Sequence, residues 1–281
     1  MSDLSQLLYG ATVAFGSNTI GQVVSATGNF ITRGTPQFND CDNGVARVLA
    51  GRYAYGELNV QAVLNSGSAG DLSQLLLGSA FTFNSQACGQ VISVGGTFLT
   101  RNTAEFSDCD NDAKTVLVGT CSYGPINVQL VYDPTATTGV YAVLAGKAID
   151  ATPTGAAVFT LGDGMILTAA TAVLTNLDLP GAGGDSDRLV TSLTAQPVSG
   201  SAWVISGATG VFATLATAAV AADPTGTCTF TLDDGSKVEA DVSVITRLDF
   251  PSAGSESDRV TQSLSIRPVN GGKWTFTGKA A

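Results

Sequence analysis

The chain of 281 residues contains no histidine. Histidine is the commonest general base and metal ligand, so serine, cysteine and zinc hydrolase designs lose their usual partner here. Without histidine, two neighbouring carboxylates could still act as a general acid and a general base. Such pairs occur at Asp185 with Asp187 and at Glu256 with Asp258. Gly, Ser and Pro surround both pairs, which is typical of exposed turns. The sequence therefore predicts a protein that is not an enzyme and has no cofactor or metal.

Charge is also scarce, since only 13% of the residues are charged, and the formal net charge is −10. This balance argues against a protein that grips nucleic acid by neutralising phosphates, although nucleic acid could still slide past such a surface. No apolar run reaches the roughly 18 residues of a membrane helix. Residues 1–8 lack the basic and apolar regions of a signal peptide. We expect a soluble product of a cytoplasm.

Cysteine is infrequent, with five residues at positions 41, 88, 109, 121 and 228. The count is odd, the spacing is irregular and no export signal accompanies it. Disulfide frameworks have even counts and belong to oxidising compartments. We therefore expect reduced, buried thiols.

What the chain does contain is two sequence units, each written twice in succession. The front half, residues 3–66, matches the segment that starts at Asp71 without a gap, at a shift of 68 positions. The back half, residues 138–207, matches residues 209–278 at a shift of 71. We divide the chain into front-half copies at 1–70 and 71–137 and back-half copies at 138–208 and 209–281.

Two copies are too few for a solenoid, which needs three or more repeats. A match without gaps indicates that both copies keep the same strands, turns and loops. Such a chain can fill two equivalent positions of a closed ring, so that the ring needs half as many subunits. A fused two-domain protein whose copies only stabilise each other is the alternative.

Residue patterns predict mostly strands, in keeping with many Gly, Thr, Ser, Val and Ala residues. Residues 23–32 alternate apolar and polar side chains, and so do residues 58–64, which places Asn59 and Gln61 on one face. Each back half begins with a predicted short helix, capped by Thr138 or Thr209. An Asp-Gly hairpin signal follows. Trp203 and Trp274 hold identical repeat positions and are predicted core residues.

Two charged motifs stand out. The DCDN motif at 40–43 and 108–111 has acids like those of a calcium loop, but it lacks the glycine and distal glutamate of an EF-hand. A solvated turn is the favoured interpretation. The second motif, Asp-Ser-Asp-Arg at 185–188 and Glu-Ser-Asp-Arg at 256–259, forms either a salt-bridged turn or an assembly contact through arginine.

The segments at 35–65 and 103–134 resemble the front half of tail tube proteins of long-tailed, non-contractile bacteriophages. There, a polar strand end leads into a segment with an arginine and glycine. A Gly-Glu pair then opens a strand that ends in Asp-Pro, as at Gly56–Glu57 and Asp133–Pro134. The Phe-x-Leu-x-Asp-Gly motif, the small-residue stretch and the Trp strand resemble the same family's back half. This chain departs from that family by duplicating each half in place, which leaves open which halves pair.

The resemblance implies a mainly β fold of two pseudo-equivalent tail-tube-like β-sandwich units, each with a short flanking helix. It also implies a structural virion protein of the tail, assembled in the host cytoplasm, whose stacked rings conduct DNA during ejection. The doubled chain would form homotrimeric rings with pseudo-six-fold symmetry. Its partners would be itself and the terminator, tape measure and distal tail proteins. DNA would pass through without specific binding.

On this hypothesis, two groups of recurring residues have roles. Candidate acids of the lumen are Asp40, Asp42, Asp108, Asp110, Asp178 and Asp249. Candidate subunit contacts are Asp185, Asp187, Arg188, Glu256, Asp258 and Arg259.

The alternative function is a duplicated β-sandwich binding module, for example a carbohydrate-binding or other virion surface protein. It predicts exposed aromatic platforms at equivalent positions, for which Trp203 with Trp274 and Phe30 with Phe98 are the candidates.

Overall fold

A computed structural model shows a mainly β fold with two short helices, which confirms the predicted fold class. The structure describes residues 10–39, 46–64, 78–107, 113–131, 140–162, 164–182, 189–207, 210–253 and 260–278.

The two front halves form strands at corresponding positions. In the first copy the strands are β1 (Thr12–Phe15), β2 (Asn18–Gly28), β3 (Ile31–Arg33), β4 (Gln37–Asn39), β5 (Ala46–Val48), β6 (Tyr53–Tyr55) and β7 (Leu58–Leu64). In the second copy they are β8 (Ala80–Phe83), β9 (Gln86–Phe106), β10 (Thr115–Tyr123) and β11 (Ile126–Val131).

Each back half consists of one helix followed by five strands. The first copy contains α1 (Val140–Ala148), β12 (Thr154–Thr160), β13 (Ile166–Leu177), β14 (Gly181–Ala182), β15 (Leu189–Pro197) and β16 (Val204–Ser206). The second contains α2 (Val211–Val220), β17 (Thr225–Thr231), β18 (Lys237–Asp249), β19 (Ser252–Ala253), β20 (Val260–Pro268) and β21 (Trp274–Thr277).

The second front half and the first back half close into a six-stranded antiparallel barrel, which we call the central barrel. Around it, each strand pairs with the next in the order β8, β9, β11, β15, β13, β12 and back to β8. The closed order leaves these strands without a continuous open edge along the sheet.

The first front half and the second back half form the corresponding terminal barrel. Its strands pair in the order β1, β2, β7, β20, β18, β17 and back to β1. The sequence left the pairing of the halves open, and the structure shows that it is nested. The two inner segments of the chain form the central barrel. The two outer segments, which flank them in the sequence, form the terminal barrel.

The interior of both barrels follows the alternation read from the sequence. In β11, Ile126, Val128 and Leu130 are buried, while Asn127 is exposed. Because the side chains of a strand alternate between its two faces, this pattern fixes the register of each strand. The buried side chains of the two barrels and of the contact between them form one continuous hydrophobic cluster.

The two tryptophans are buried in the core, as predicted. Trp203 Nε1–H donates to the Gly124 carbonyl at 3.0 Å, and Trp274 Nε1–H donates to the Gly56 carbonyl at 2.9 Å. In each barrel a back-half tryptophan therefore holds a front-half glycine. The identical bonds follow from the identical repeat positions.

The helices begin at Val140 and Val211, near the predicted positions. Helix α1 packs on β9 and β13, where Leu144 is buried, and α2 packs on β2 and β18. The N-cap of α2 is Gly210, with an extended backbone and no side-chain cap. The predicted caps Thr138 and Thr209 lie outside the described residues.

Candidate assembly interface

One strand joins the two barrels. β9 belongs to the central barrel up to Gly96 and then continues beyond it to pair with β18 of the terminal barrel. Opposite residues are Thr97 with Asp249, Leu99 with Leu248, and Thr100 with Arg247. We call this contact the internal junction. The extension of β9 and its partner β10 form a projecting hairpin, the second-copy arm (97–106 and 115–123).

A glycine sits where β9 leaves its barrel. Gly96 has φ +113°, a conformation that residues with side chains rarely adopt. A Cβ there would lie 2.3 Å from the carbonyl oxygen of Pro125. The Gly96 carbonyl accepts a hydrogen bond of 2.8 Å from the Phe250 amide of the terminal barrel. The bend thus brings the two barrels into direct backbone contact.

An aromatic cluster fills the internal junction. Phe98, from β9, contacts Phe212 of α2 and Phe250, which follows β18, with ring centroids 5.6 and 5.7 Å apart. The Trp203 ring lies 6.3 Å from Phe250, and Tyr123 lies 5.8 Å from Phe98. All four of these pairs are edge-to-face, which adds to the stabilisation from burial. The junction is therefore a hydrophobic core shared by both barrels.

Arg101, three residues further along the arm, is hydrogen-bonded at the end of helix α2. Its guanidinium donates to the carbonyls of Gly119 at 2.9 Å and Ala219 at 2.6 Å. The last carbonyls of a helix lack partners within the helix and carry partial negative charge. A cation placed there stabilises both the helix and the contact.

An ionic group lies beside this core. Arg267 of β20 donates to the Tyr55 carbonyl, to Thr103 at 2.9 Å and to Glu105 at 2.6 Å. Lys114 contacts the other Glu105 oxygen at 2.9 Å. Hydrogen bonds from Lys114 and Arg267 lower the pKa of Glu105. Both arms therefore meet at Arg267, since Tyr55 belongs to the first-copy arm (29–39 and 46–55).

The internal junction makes the two barrels one sheet. Strands pair in the order β13, β15, β11, β9, β18, β20, β7, β2. One face of this eight-stranded sheet is polar. There the Ser265 hydroxyl donates a hydrogen bond to the Asn59 side-chain oxygen. In the central barrel, the Ser93 hydroxyl donates to Gln129 at 3.3 Å, and the Thr194 hydroxyl donates to Asn127 at 2.9 Å. Hydroxyl and amide groups thus dominate this face.

Asp249 and Asp178, two of the predicted lumen acids, occupy corresponding positions on β18 and directly after β13. Asp249 accepts hydrogen bonds from Arg247 at 2.8 Å and Thr97 at 3.0 Å, and it lines a shallow depression of the polar face. Asp178 is exposed and accepts a bond of 3.0 Å from Asn176. The structure thus brings one predicted acid into the internal junction and leaves its counterpart in solvent.

The other predicted site residues lie outside the described residues. They are Asp40, Asp42, Asp108, Asp110, Asp185, Asp187, Arg188, Glu256, Asp258 and Arg259. Their roles stay predictions.

The internal junction is formed by the second-copy arm and the edge of β18. The chain also contains a second arm and a second strand edge at the corresponding repeat positions. The first-copy arm has the same register as the second, since Ile31 is opposite Tyr55 just as Leu99 is opposite Tyr123. Within the described part of the chain, the β3 edge that faces away from β6 pairs with no strand, whereas Tyr53 on the β6 edge forms an isolated bridge with Ala113. The end of β13 at residues 174–177, the counterpart of the β18 segment, likewise has no strand on its edge away from β15.

Sequence reasoning missed the aromatic cluster. It interpreted Phe98 and Trp203 only as core or as binding platforms, and Phe212 and Phe250 were not considered. The signal that could have found it is the difference between copies, because Phe212 and Phe250 stand where the first back half has Tyr141 and Leu179. As for the binding-module alternative, both tryptophans and Phe98 are buried, so they form no exposed platforms.

No group of three or more Cys, Asp or Glu side chains that could hold a metal occurs in the described ranges. Cys88 and Cys228 are buried, and burial raises the pKa of each thiol to about 12. Cys121 is half-buried rather than buried. Neither helix of the described chain has the length and apolar character needed to cross a membrane.

Comparison with known proteins found no matching family model and no matching curated protein. Solved structures with partial similarity include a sheath–tube complex, a sheath/tube terminator and a tube-terminating cap. The sheath–tube complex of an extracellular contractile injection system, PVC, in the extended state is 12% identical, over 74% of this chain and 95% of that chain, with a TM-score of 0.20.

Two further structures give similar values. The sheath/tube terminator of PVC is 13% identical, over 73% of this chain and 99% of that chain, and the tube-terminating cap of the anti-feeding prophage is 11% identical, over 74% and 95%. Both TM-scores are 0.20. Similarity at this level carries no argument about function.

Proposed function

We propose that this chain is a structural tail protein of a non-contractile bacteriophage, whose rings stack into the tube through which DNA is ejected. Three chains form each ring, and the two barrels of every chain occupy two equivalent positions. The ring thereby has pseudo-six-fold symmetry. The chain assembles in the host cytoplasm, and its other partners are the terminator, tape measure and distal tail proteins.

The observation that carries this proposal is the internal junction. Two barrels with matching strands meet through a head-to-tail contact, in which different surfaces of the two barrels touch. A contact of this kind generates either a closed ring or an open filament when it is repeated. Each chain contains one such contact. At each end of the eight-stranded sheet it also carries one surface of the same kind, the first-copy arm or the end of β13, with an edge that pairs with no strand in the described chain.

The polar face of that sheet is suited to the lumen. Its described side chains are mainly hydroxyls and amides, with Asp178, Asp249 and Arg247 among the charged ones. The net charge of the chain is −10, so it repels the phosphates of DNA overall and offers them few binding sites. We propose that Asp178, Asp249 and the acids at 40, 42, 108 and 110 face the channel.

Electron microscopy of the purified protein tests this function directly. We expect rings or tubes whose rotational average shows six similar lobes, and native mass spectrometry should give a trimer. Dispersed monomers under all conditions would contradict the tube, and six chains in a ring would contradict the trimer. A map with an inner wall dominated by Lys and Arg would contradict the proposed lumen.

The arginines of the two small-residue turns are candidates for a further contact. Free loops vary in length, whereas the turns at 180–188 and 251–259 have equal length in both copies. We expect the double variant Arg188→Glu with Arg259→Glu to fold but to polymerise poorly. Normal tubes from this variant would exclude these turns as essential contacts.

A further inference from the structure

We propose that neighbouring chains join by repeating the internal junction, with Leu179 of one chain seated against Phe30, Tyr55 and Trp274 of the next. This inference rests on the proposed function and identifies the contact that would close the ring. Its occupant is a second copy of this chain, since both complementary surfaces are present on one molecule.

The first argument is the correspondence of the strand edges. In the internal junction, Thr100 of the arm is opposite Arg247 of β18. The repeat positions of these residues are Thr32 on the first-copy arm and Asn176 on β13. Both of these segments have an edge free of strand pairing within the described chain. Exposed edges of this kind are templates for pairing with another strand.

The second argument is an apolar socket on the terminal barrel. A cavity of about 310 Å³ is lined by residues that include Phe30, Leu58, Phe230, Val238 and Trp274. Phe30 and Tyr55 meet edge-to-face at 6.2 Å, as Phe98 and Tyr123 do at 5.8 Å in the internal junction. The socket already has the geometry that the central barrel uses to hold Phe250 and Phe212.

The third argument is the exposed side chain that would fill the socket. Phe250 is 2% exposed in the internal junction, whereas its counterpart Leu179 is 79% exposed. On the socket side, Phe98 is 0% exposed and Phe30 is 49% exposed. Exposed apolar groups concentrated on one surface mark interaction sites. Each exposed residue here is the counterpart of one that the internal junction buries.

A polar contact would accompany the apolar one. Arg101 donates to the Ala219 carbonyl at the end of α2, and the counterpart pair is Arg33 with Ala148 at the end of α1. Arg33 donates to the Gly51 carbonyl at 3.1 Å, as Arg101 does to Gly119, and its guanidinium lies 5.1 Å from the Tyr53 ring. It is therefore held on the arm where a neighbour's helix end would meet it.

Disulfide cross-linking tests the predicted register. The full chain with Thr32→Cys and Asn176→Cys should form disulfide-linked oligomers under mild oxidation, since these positions would be directly opposite across the interface. Each single variant and the unmodified chain serve as controls for the native cysteines. A third control pairs Asn176→Cys with Val24→Cys, because Val24 and its counterpart Ile92 are both exposed and so lie away from the junction.

A charge placed on the exposed leucine tests the apolar contact. Leu179→Asp should lose rings in native mass spectrometry and microscopy, with an unchanged thermal unfolding midpoint because the side chain contacts little within the chain. The matched control Val24→Asp should assemble like the unmodified chain.

The outcomes separate this inference from the proposed function. Cross-linking of the designed pair together with loss of rings in Leu179→Asp supports the inference. Rings from the unmodified chain, with no specific cross-link and normal assembly of Leu179→Asp, would overturn it and leave the tube standing. Specific cross-linked oligomers without rings or tubes would support the contact and contradict the tube. Cross-linking confined to a single chain would overturn the inference.

Discussion

The two back halves have matching strands but different surroundings. In β20, Val260, Gln262 and Ser265 are buried, whereas their counterparts in β15 include Leu189, which is exposed, and Thr194, which is half-buried. The second-copy arm also covers the terminal barrel at the end of β20, where its Val116 packs with Val244 and Val269. Burial in this molecule therefore depends on which neighbour covers a strand as much as on the strand's own pattern.

The same comparison holds for the two arms. The second-copy arm lies on β18, and its aromatic, apolar and cationic side chains have partners in the terminal barrel. The first-copy arm presents corresponding side chains outward. One chain thus contains one arm that is packed against a barrel and a corresponding arm that is not, and variants of the two arms can be compared directly.

The largest effect should come from Phe98. Phe98→Ala removes the centre of the aromatic cluster and should lower the free energy of unfolding by about 3–5 kcal/mol, as for other buried phenylalanines. Phe30→Ala should cost no more than about 1 kcal/mol in the unassembled chain, because half of the ring is already exposed. Urea unfolding measures both. Equal losses would show that the two arms are packed alike.

The tryptophans should show where the two barrels behave alike. Trp203→Phe and Trp274→Phe each leave a glycine carbonyl without its indole donor, which should cost about 1–3 kcal/mol. We expect the two losses to agree within about 0.5 kcal/mol. A much larger loss for one of them in thermal or urea unfolding would mean that the two barrels are stabilised differently.

A smaller difference should separate the arginines. Arg101→Met removes the hydrogen bond to the helix α2 carbonyl and should cost about 1–2 kcal/mol. The buried Arg101 Nε has no hydrogen-bond partner among the described residues, which offsets part of the gain from the bond. Arg33→Met should change the stability of the unassembled chain by less than about 0.5 kcal/mol. Calorimetry on both variants measures the two losses of stability. A larger loss for Arg33→Met than for Arg101→Met would contradict this prediction.

The smallest effect should be the pH dependence from Glu105. Its pKa in the folded chain lies below the ordinary 4.5, because Lys114 and Arg267 favour the ionised form. The stabilisation is therefore complete well above pH 4.5 and is lost as pH falls through the folded-state pKa. Partial exposure limits it to about 0–1 kcal/mol.

Glu105→Gln should remove that part of the acid sensitivity and leave the rest of the pH profile unchanged. Gln37, at the same position of the first copy, has no charge to lose. Unfolding midpoints between pH 3 and 7 would decide the matter, and identical acid slopes for both proteins would exclude a role for Glu105.

Local patterns in the sequence determined a large part of this fold. Alternation in residues 58–64 and 126–131 fixed which side chains enter the core, because neighbouring side chains of a strand point to opposite faces. Equal repeat positions predicted that Trp203 and Trp274 would be buried. The gapless matches predicted corresponding strands in both copies.

Only the tertiary structure decided which halves pair and which copy is covered. Nested and side-by-side pairings of the repeated halves satisfy the same local patterns, because each front half offers corresponding strand edges to either back half. The choice depends on contacts between residues that are far apart in the chain, such as Trp274 with Gly56 within a barrel and Phe98 with Phe250 between the barrels. No short segment contains both partners of such a contact, so the sequence pattern of either segment alone cannot specify it.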